Sequence, residues 1–191
     1  MPPNKRSSLG FTANRALVPQ KNPAAIRVDD VQIFSATHYY EGDNRDIARQ
    51  LKIGDKSALD CAARTMIPLI PRGSVLVPIP GHEGTAKQTL QLCKAISSFT
   101  GLQVADVLRG NSRESNYVAK HEGKGLTERD MGFRKVSPLP EGKTPVYVDN
   151  VVDTATTAKA AYHAVGSGIV VTFAISDTLF QQREQSQGMH R

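Results

Sequence analysis

The chain has 191 residues and a mass of 20.7 kDa, which is the size of one ordinary domain and too short for two catalytic domains. Hydrophobic residues make up 39% of the chain and aromatic residues 6%, with no Trp. This composition is globular, and it argues against an RNA-binding platform of stacked aromatic side chains. The formal net charge of +6 raises the question of nucleic-acid binding.

The positive charge is concentrated in two segments. Residues 1–27 carry five bases and no acid, whereas the other 164 residues carry 19 bases and 18 acids. Within that nearly neutral remainder, residues 109–135 have seven bases and four acids. Residues 1–27 also lack hydrophobic periodicity, which predicts a basic N-terminal arm, flexible or draped over the domain. A disordered soluble tail is favoured for this arm over a weak nucleic-acid contact.

The cysteines and two of the histidines give no sign of a metal or redox site. Cys61 and Cys93 lie outside any CxxC motif, and both are expected to be small buried apolar residues. His121 and His163 have no evident partner in the sequence and are expected on the surface. No apolar run approaches the roughly 20 residues of a membrane span, and the N-terminus lacks the apolar core of a secretory signal. The expected location is the reducing cytoplasm, without membrane association.

Hydrophobic periodicity predicts strands alternating with helices after the arm. Strands are predicted over 31–36, 75–79, 103–108, 145–148 and 169–175, and helices over 45–51, 55–67, 85–99 and 157–165. Residues 109–143 form a long polar stretch, as a functional lid often does, and the tail over 181–191 is polar. This order predicts an α/β domain over residues 28–180, with a mostly parallel sheet and helices on both faces.

Ligands bind at the carboxyl ends of the strands in such sheets, which selects the loops 80–84 and 149–157. In the second loop a buried strand runs into Asp149 and Asn150, and a Thr-rich turn then opens a helix. Successive amides at a helix N-terminus form an anion site, so a phosphate fits there. The alternative is a plain junction in which Asp and Thr are turn and cap residues. Neither GxxxxGK[ST] nor GxGxxG occurs, which excludes a Walker loop and a Rossmann site.

Residues 146–157 resemble the phosphoribosyl diphosphate (PRPP) motif of type I phosphoribosyltransferases. That motif has four apolar residues, two acids, two apolar residues and a Thr-Gly-x-Thr loop. Residues 38–67, 75–80 and 107–133 are similar to the ComF-like (competence protein F) branch of the family, so the resemblance covers residues 38–176. It implies the type I phosphoribosyltransferase fold, with the basic stretch over residues 109–135 as a long flexible hood loop. The alternative for this stretch is a solvated loop with ordinary surface charges.

The resemblance also implies roles for single residues. The 5'-phosphate is expected on a loop formed by Asp153, Thr154, Ala155, Thr156 and Thr157. The ribose hydroxyls are expected on Asp149 and Asn150, and pyrophosphate on a loop formed by Gly81, His82, Glu83 and Gly84. The alternative for this loop is an ordinary strand-to-helix turn with a solvated His82. Mg²⁺ would bridge pyrophosphate and ribose oxygens, with Asp149 as its protein contact, directly or through water. The catalytic residues would be Asp149 and Asp153, and hood bases such as Arg113 or Lys120 would close over pyrophosphate.

The implied function is a Mg²⁺-dependent phosphoribosyltransferase that transfers the phosphoribosyl group between PRPP and a nucleobase, forming or consuming a nucleotide. Asp153 favours a purine, because purine phosphoribosyltransferases carry Asp at that position. A homodimer is consistent with this resemblance. Asn150 replaces the second acid of the motif and Ala155 replaces its glycine. The alternative is therefore a catalytically impaired protein of the same fold that senses PRPP or a nucleotide, or assists in DNA handling.

Overall fold

A five-stranded sheet forms the centre of the structure. The computed structural model describes residues 16–113 and 125–179. The strands of this sheet are β1 (Ala24–Val28), β2 (Val31–His38), β3 (Val75–Pro78), β6 (Pro145–Val152) and β7 (Ile169–Ile175), and across the sheet they lie in the order β1-β2-β7-β6-β3. β1 pairs antiparallel with β2, and the other neighbouring strands are parallel. The predicted α/β class with a mostly parallel sheet is confirmed.

Helices cover both faces of this sheet, as predicted. They are α1 (Asn44–Ile53), α2 (Lys56–Met66, followed by a 3-10 turn at Ile67–Leu69), α3 (Lys87–Thr100), α4 (Glu128–Met131) and α5 (Thr156–Val165). Successive side chains of a strand point to opposite faces. Accordingly, Val146 and Val148 pack with α1, α2 and α3, whereas Tyr147 packs with α5. Because both faces are covered, the central strands are apolar almost throughout.

The predicted arm over residues 1–27 ends earlier in the structure, because residues 24–27 belong to β1. In this edge strand only Ile26 is fully buried, so the alternation that identifies strands is weak in the sequence. The preceding residues are held by the buried side chain of Asn44, which accepts a hydrogen bond from the Gln20 amide at 2.9 Å and donates to the Gln20 carbonyl at 3.0 Å. Residues 1–15 lie outside the described part of the chain.

The strand predicted over residues 103–108 is wrong. Val104 forms a single parallel bridge with Leu76 of β3. The chain then turns, because the Val107 amide donates to the Ala105 carbonyl at 3.0 Å, and a bond over so few residues ends an extended strand.

The two ends of the hood form regular structure, which we call the hood base and which consists of β4 (Leu108–Arg109), α4 and β5 (Arg134–Lys135). The hood base begins with β4, which pairs antiparallel with β5. Between these strands, α4 opens with a capping box formed by Thr127 and Asp130. Residues 114–124, which include Lys120 and His121, lie outside the described residues, as does the predicted polar tail. Within 16–113 and 125–179, no helix combines the length and apolar character that crossing a membrane requires.

Candidate functional site

A cleft of about 300 Å³ opens at the carboxyl ends of β3 and β6. It brings together the two loops that the sequence selects. The predicted site residues that line it are Gly81, His82, Glu83, Asp149, Asn150, Asp153, Thr154, Ala155 and Thr157. Gly84 and Thr156 do not line the cleft. Its other polar lining residues are Lys52 at the end of α1, Thr85, Lys87, Gln88 and Thr89 at and before the start of α3, and Arg113 of the hood.

The length of β6 places Asp149 and Asn150 at the cleft. This strand continues to Val152, four residues beyond the predicted end at Val148. β3 pairs with β6 only as far as Val148, and the last hydrogen bond from this side is donated by the Ile79 amide to the Val148 carbonyl at 3.1 Å. Beyond Val148, the edge of β6 that faces β3 has no strand beside it and borders the cleft, whereas the other edge stays paired with β7. The two polar residues therefore lie on a rigid strand at the mouth of the cleft.

The Asp149 carboxyl is withdrawn from solvent, and this burial raises its pKa to about 6. Hydrogen bonds from the backbone amides of Asn150 and Val151 lower the pKa of Asp149. The Asn150 amide donates to Asp149 Oδ1 at 2.7 Å. The positive charges of Arg113 and Lys52 also lower this pKa. At neutral pH the site therefore holds a desolvated carboxylate that hydroxyl donors or a cation would stabilise.

Asn150 carries an acceptor without a partner. The residue is 7% exposed, and its side-chain Oδ1 makes no hydrogen bond to the described residues. A buried polar atom left unpaired costs about 1–3 kcal/mol. A ligand hydroxyl or a metal-bound water that donates to this atom would remove that cost.

The loop after β6 has a left-handed backbone at Ala155. Ala155, the N-cap of α5, has φ 63° and ψ −3°, and it is 2% exposed. This is the left-handed region that favours glycine, the residue found at this position of the motif. Ala155 offers no side-chain oxygen to cap the first amides of α5, so the helix start is suited to an anion.

Ala155→Gly is expected to stabilise the protein modestly. Relief of the left-handed alanine gains about 1–2 kcal/mol, and loss of the buried methyl costs about 0.8 kcal/mol. We expect a net rise of up to about 1 kcal/mol in the free energy of unfolding, measured by urea denaturation. Ala158→Gly, at a buried position inside the same helix, is the matched control and should lose about 1 kcal/mol or more. Equal losses in both variants would contradict the strain at Ala155.

Asp153 and Thr157 are held by neighbouring elements. The Asp153 carboxylate accepts a hydrogen bond from the hydroxyl of Ser176, a buried residue just after β7. The Thr157 hydroxyl lies 4.0 Å from Met131 Sδ, at the end of α4. The loop over 153–157 is therefore fixed both to the sheet and to the base of the hood.

The predicted pyrophosphate loop is closed by its own hydrogen bonds. The Gly81 amide donates to the Thr85 carbonyl at 3.0 Å, and the Gly84 amide donates to the Gly81 carbonyl at 3.1 Å. These two amides are thus engaged within the loop. Glu83 forms an ion pair with Lys87 of α3. A pyrophosphate group at this loop would therefore not be bound by the Gly81 and Gly84 amides.

Arg113 brings donors from the hood. Its amide donates to the His82 carbonyl at 2.8 Å, and its guanidinium Nη1 donates to the Gly81 carbonyl at 3.0 Å. The buried Nε has no partner among the described residues. Burial lowers the pKa of Arg113, and the charge of Asp149 acts in the opposite direction. Of the hood bases within the described residues, Arg113 is the one that lines the cleft.

The oxygen donors of the cleft suit Mg²⁺ brought in with a phosphate ligand. Among residues 16–113 and 125–179 there is no group of three or more His, Cys, Asp or Glu side chains that could hold a metal ion. Asp149 and the unpaired Asn150 oxygen supply two hard donors on neighbouring residues. Mg²⁺ is commonly bound by one or two protein oxygens plus phosphate oxygens and water. The donor set therefore fits a metal that shares its coordination with the substrate.

Lys52 is one of the lining residues that sequence reasoning missed, together with Lys87 and Gln88. It is exposed at the last turn of α1, and its charge reaches Asp149. Nothing in the local sequence marks it as a site residue, because its place depends on how α1 lies against β6.

His163 has partners that the sequence does not reveal. It is exposed on α5, as expected, but its Nδ1 lies 2.6 Å from Glu128 Oε2 and its Nε2 lies 3.0 Å from Asp30 Oδ1. One turn earlier, Lys159 Nζ lies 2.6 Å from Asp29 Oδ2 and 3.2 Å from Glu128 Oε1. These five charged side chains tie α5 to α4 of the hood base and to the β1–β2 turn.

His163→Ala is expected to destabilise the protein more in mild acid than in mild alkali. The carboxylates of Glu128 and Asp30 raise the pKa of His163, so the folded state binds its proton more tightly. The contribution of protonated His163 to the free energy of unfolding is complete below its ordinary pKa of about 6.5. This contribution is lost as the pH rises through the pKa that His163 has in the folded state. Because the groups are partly exposed, we expect about 1 kcal/mol or less. Thermal unfolding at about pH 6 and about pH 9 tests this, and an equal loss at both would contradict it.

The comparisons with known proteins find likenesses among solved structures. No family model and no curated protein matches the chain. A crystal structure of adenine phosphoribosyltransferase from Leishmania donovani is similar at 13% sequence identity and a TM-score of 0.45, over 84% of this chain and 78% of that one. We base the functional proposal on the residues of the cleft.

Proposed function

We propose that the cleft binds PRPP with Mg²⁺ and that the protein transfers the phosphoribosyl group between PRPP and a nucleobase. The observation that carries this proposal is the buried, unpaired Asn150 oxygen beside the desolvated Asp149 carboxylate, on the strand that leads into the start of α5. Acceptors suited to ribose hydroxyls and amides suited to a phosphate thus lie in one cleft. A phosphorylated ribose presents both groups on one molecule.

Each residue has a chemical task in this reaction. Asp149 and the Asn150 oxygen accept hydrogen bonds from the ribose hydroxyls, and the amides over 153–157 hold the 5'-phosphate. The bond from C1' to the pyrophosphate oxygen breaks with its electron pair leaving on pyrophosphate, and a base nitrogen supplies the pair of the new bond. Mg²⁺, when bound, neutralises charge on the departing pyrophosphate. Arg113 contributes positive charge on that side, and the Asp149 carboxylate stabilises the electron-poor sugar.

A purine is the proposed acceptor. Asp153 is the residue on which this choice rests, and its carboxylate is held by Ser176 at the edge of the cleft. That hydroxyl orients the carboxylate, which in this proposal accepts a proton or a hydrogen bond from a base nitrogen.

The experiment mixes the protein, Mg²⁺ and PRPP with adenine, guanine, hypoxanthine, xanthine, uracil or orotate, and follows pyrophosphate release. We expect turnover with at least one purine and saturable PRPP binding by calorimetry. Absence of PRPP binding would overturn the proposed site. PRPP binding without turnover on any base would overturn the catalytic claim and favour the second candidate.

The second candidate is a catalytically impaired protein that senses PRPP or a nucleotide or assists in DNA handling. Two observations favour it. Asn150 brings no charge to the ribose, and the buried Ala155 methyl stands where the PRPP motif has glycine. Removal of residues 1–15 deletes three bases and leaves β1 intact, so this truncation should abolish a salt-dependent DNA affinity if the arm contributes it. The cytoplasmic location and the homodimer stay predictions.

A further inference from the structure

Lys52 reaches the cleft from the face of the sheet opposite the phosphate loop. α1 packs with α2 and α3 on one face, whereas α5, whose start holds the proposed 5'-phosphate loop, packs on the other. Asp149 lies in the strand between these two layers. Lys52 and the start of α5 therefore approach Asp149 from opposite faces of the sheet.

The end of α1 is fixed against α3. Gly54 ends α1 with φ 75°, and a Cβ at this residue would lie 2.5 Å from Gln91 Oε1 of α3. Leu51, the residue before Lys52, is buried in one hydrophobic cluster with Leu92 of α3, and Lys52 lines the same cleft as Lys87 and Gln88. The position is thus set by packing, although the side chain itself is exposed.

Lys52 differs from the other lysines nearby in having no acidic side chain bound to it. Lys87 is paired with Glu83, and Lys56 is paired with Asp60 at 2.7 Å. Within the described residues, Lys52 makes no such ion pair, yet its charge is close enough to lower the pKa of Asp149. An unpaired cation beside a desolvated carboxylate, at a loop whose Gly81 and Gly84 amides are already engaged, is suited to an anionic ligand group.

We propose that Lys52 binds the pyrophosphate group of PRPP and thereby selects a 1-pyrophosphorylated sugar over ribose 5-phosphate. This inference rests on the proposed function. Lys52 supplies charge from the α1 layer, and Arg113 supplies charge from the hood. The Gly81 and Gly84 amides of the loop over 80–84 are engaged within the loop, so the two cations supply charge that these amides do not.

The test compares Lys52→Ala with Lys56→Ala, a lysine of the neighbouring helix α2 that does not line the cleft. Calorimetry measures the affinity of each variant for PRPP and for ribose 5-phosphate, both with Mg²⁺. We expect Lys52→Ala to lose PRPP affinity about tenfold or more while ribose 5-phosphate affinity changes less than about twofold. Lys56→Ala should match the wild type for both ligands, and Lys52→Arg should restore most of the PRPP affinity.

The outcomes separate this inference from the proposed function. If the wild type binds PRPP and Lys52→Ala binds it equally well, only the role of Lys52 is overturned. Equal losses for PRPP and ribose 5-phosphate would also overturn it, because Lys52 would then act through Asp149 on the ribose. If the wild type binds neither ligand, the proposed function fails and this inference fails with it.

Discussion

Asp149→Asn is expected to make the folded protein more stable at neutral pH while it removes ligand binding. Burial raises the pKa of Asp149 from 3.8 to about 6, so the folded state binds the proton more tightly than the unfolded state does. The free energy of unfolding therefore falls as the pH rises from about 4 to above 6. At pH 7 the ionised carboxylate costs about 1–3 kcal/mol, which the neutral amide avoids.

Urea denaturation at about pH 4 and about pH 7 measures this effect. The wild type should lose stability between the two values through this group, and the Asp149→Asn variant should lack that part of the slope. Asp46→Asn, which changes an exposed carboxylate on α1, is the control and should leave the stability at pH 7 nearly unchanged. A lower stability of Asp149→Asn at pH 7 would contradict the raised pKa.

Ligand binding should move in the opposite direction from stability in the same variant. The amide has lost the charge that strengthens hydrogen bonds from ribose hydroxyls and attracts Mg²⁺. We expect PRPP affinity to fall about 10- to 100-fold, which matches one or two charge-assisted hydrogen bonds. Wild-type affinity in Asp149→Asn would remove this residue from the proposed site.

The sequence predicts the parts of the fold in which burial and periodicity agree. β7 is predicted at its observed bounds, Ile169–Ile175, because it is an apolar run between glycines and a polar residue. β1 is missed because an edge strand with one fully buried residue lacks the alternation that marks a half-buried strand. The strand predicted over 103–108 is wrong for a different reason. The segment contains the apolar residues of a strand, but a turn at Val107 leads the chain away from β3.

For the candidate site, local pattern predicts what lies on one continuous segment. The strand, its polar end and the Thr-rich turn over 146–157 are consecutive in the chain. Once this strand is placed in the sheet, its polar residues and the turn necessarily lie together at the cleft. Lys52 and the partners of His163 depend on how distant elements pack. Asp30 is 133 residues from His163 in the chain, and no spacing rule joins them. Contacts of this kind require the three-dimensional arrangement.

Gly84→Ala is expected to destabilise the protein strongly and to abolish PRPP binding. Gly84 has φ 78°, and a Cβ there would lie 2.4 Å from the Gly110 carbonyl oxygen. The two backbones are in contact because the Gly110 amide donates to the Gly84 carbonyl at 2.9 Å. An added methyl would therefore push the loop over 80–84 away from the hood base and displace Arg113, whose amide donates to the His82 carbonyl.

Gly73→Ala is the matched control, because Gly73 has a similar φ of 74° but no atom within 4 Å of an added Cβ. This control should lose only the cost of a left-handed alanine, about 1–2 kcal/mol, and should bind PRPP as the wild type does. The contact with Gly110 has no flexible side chain that could yield, so Gly84→Ala should lose about 3 kcal/mol or more. The difference between the two variants measures how closely loop and hood are joined. Equal stability losses, with PRPP binding retained in both, would show that the loop can separate from the hood base without consequence for the cleft.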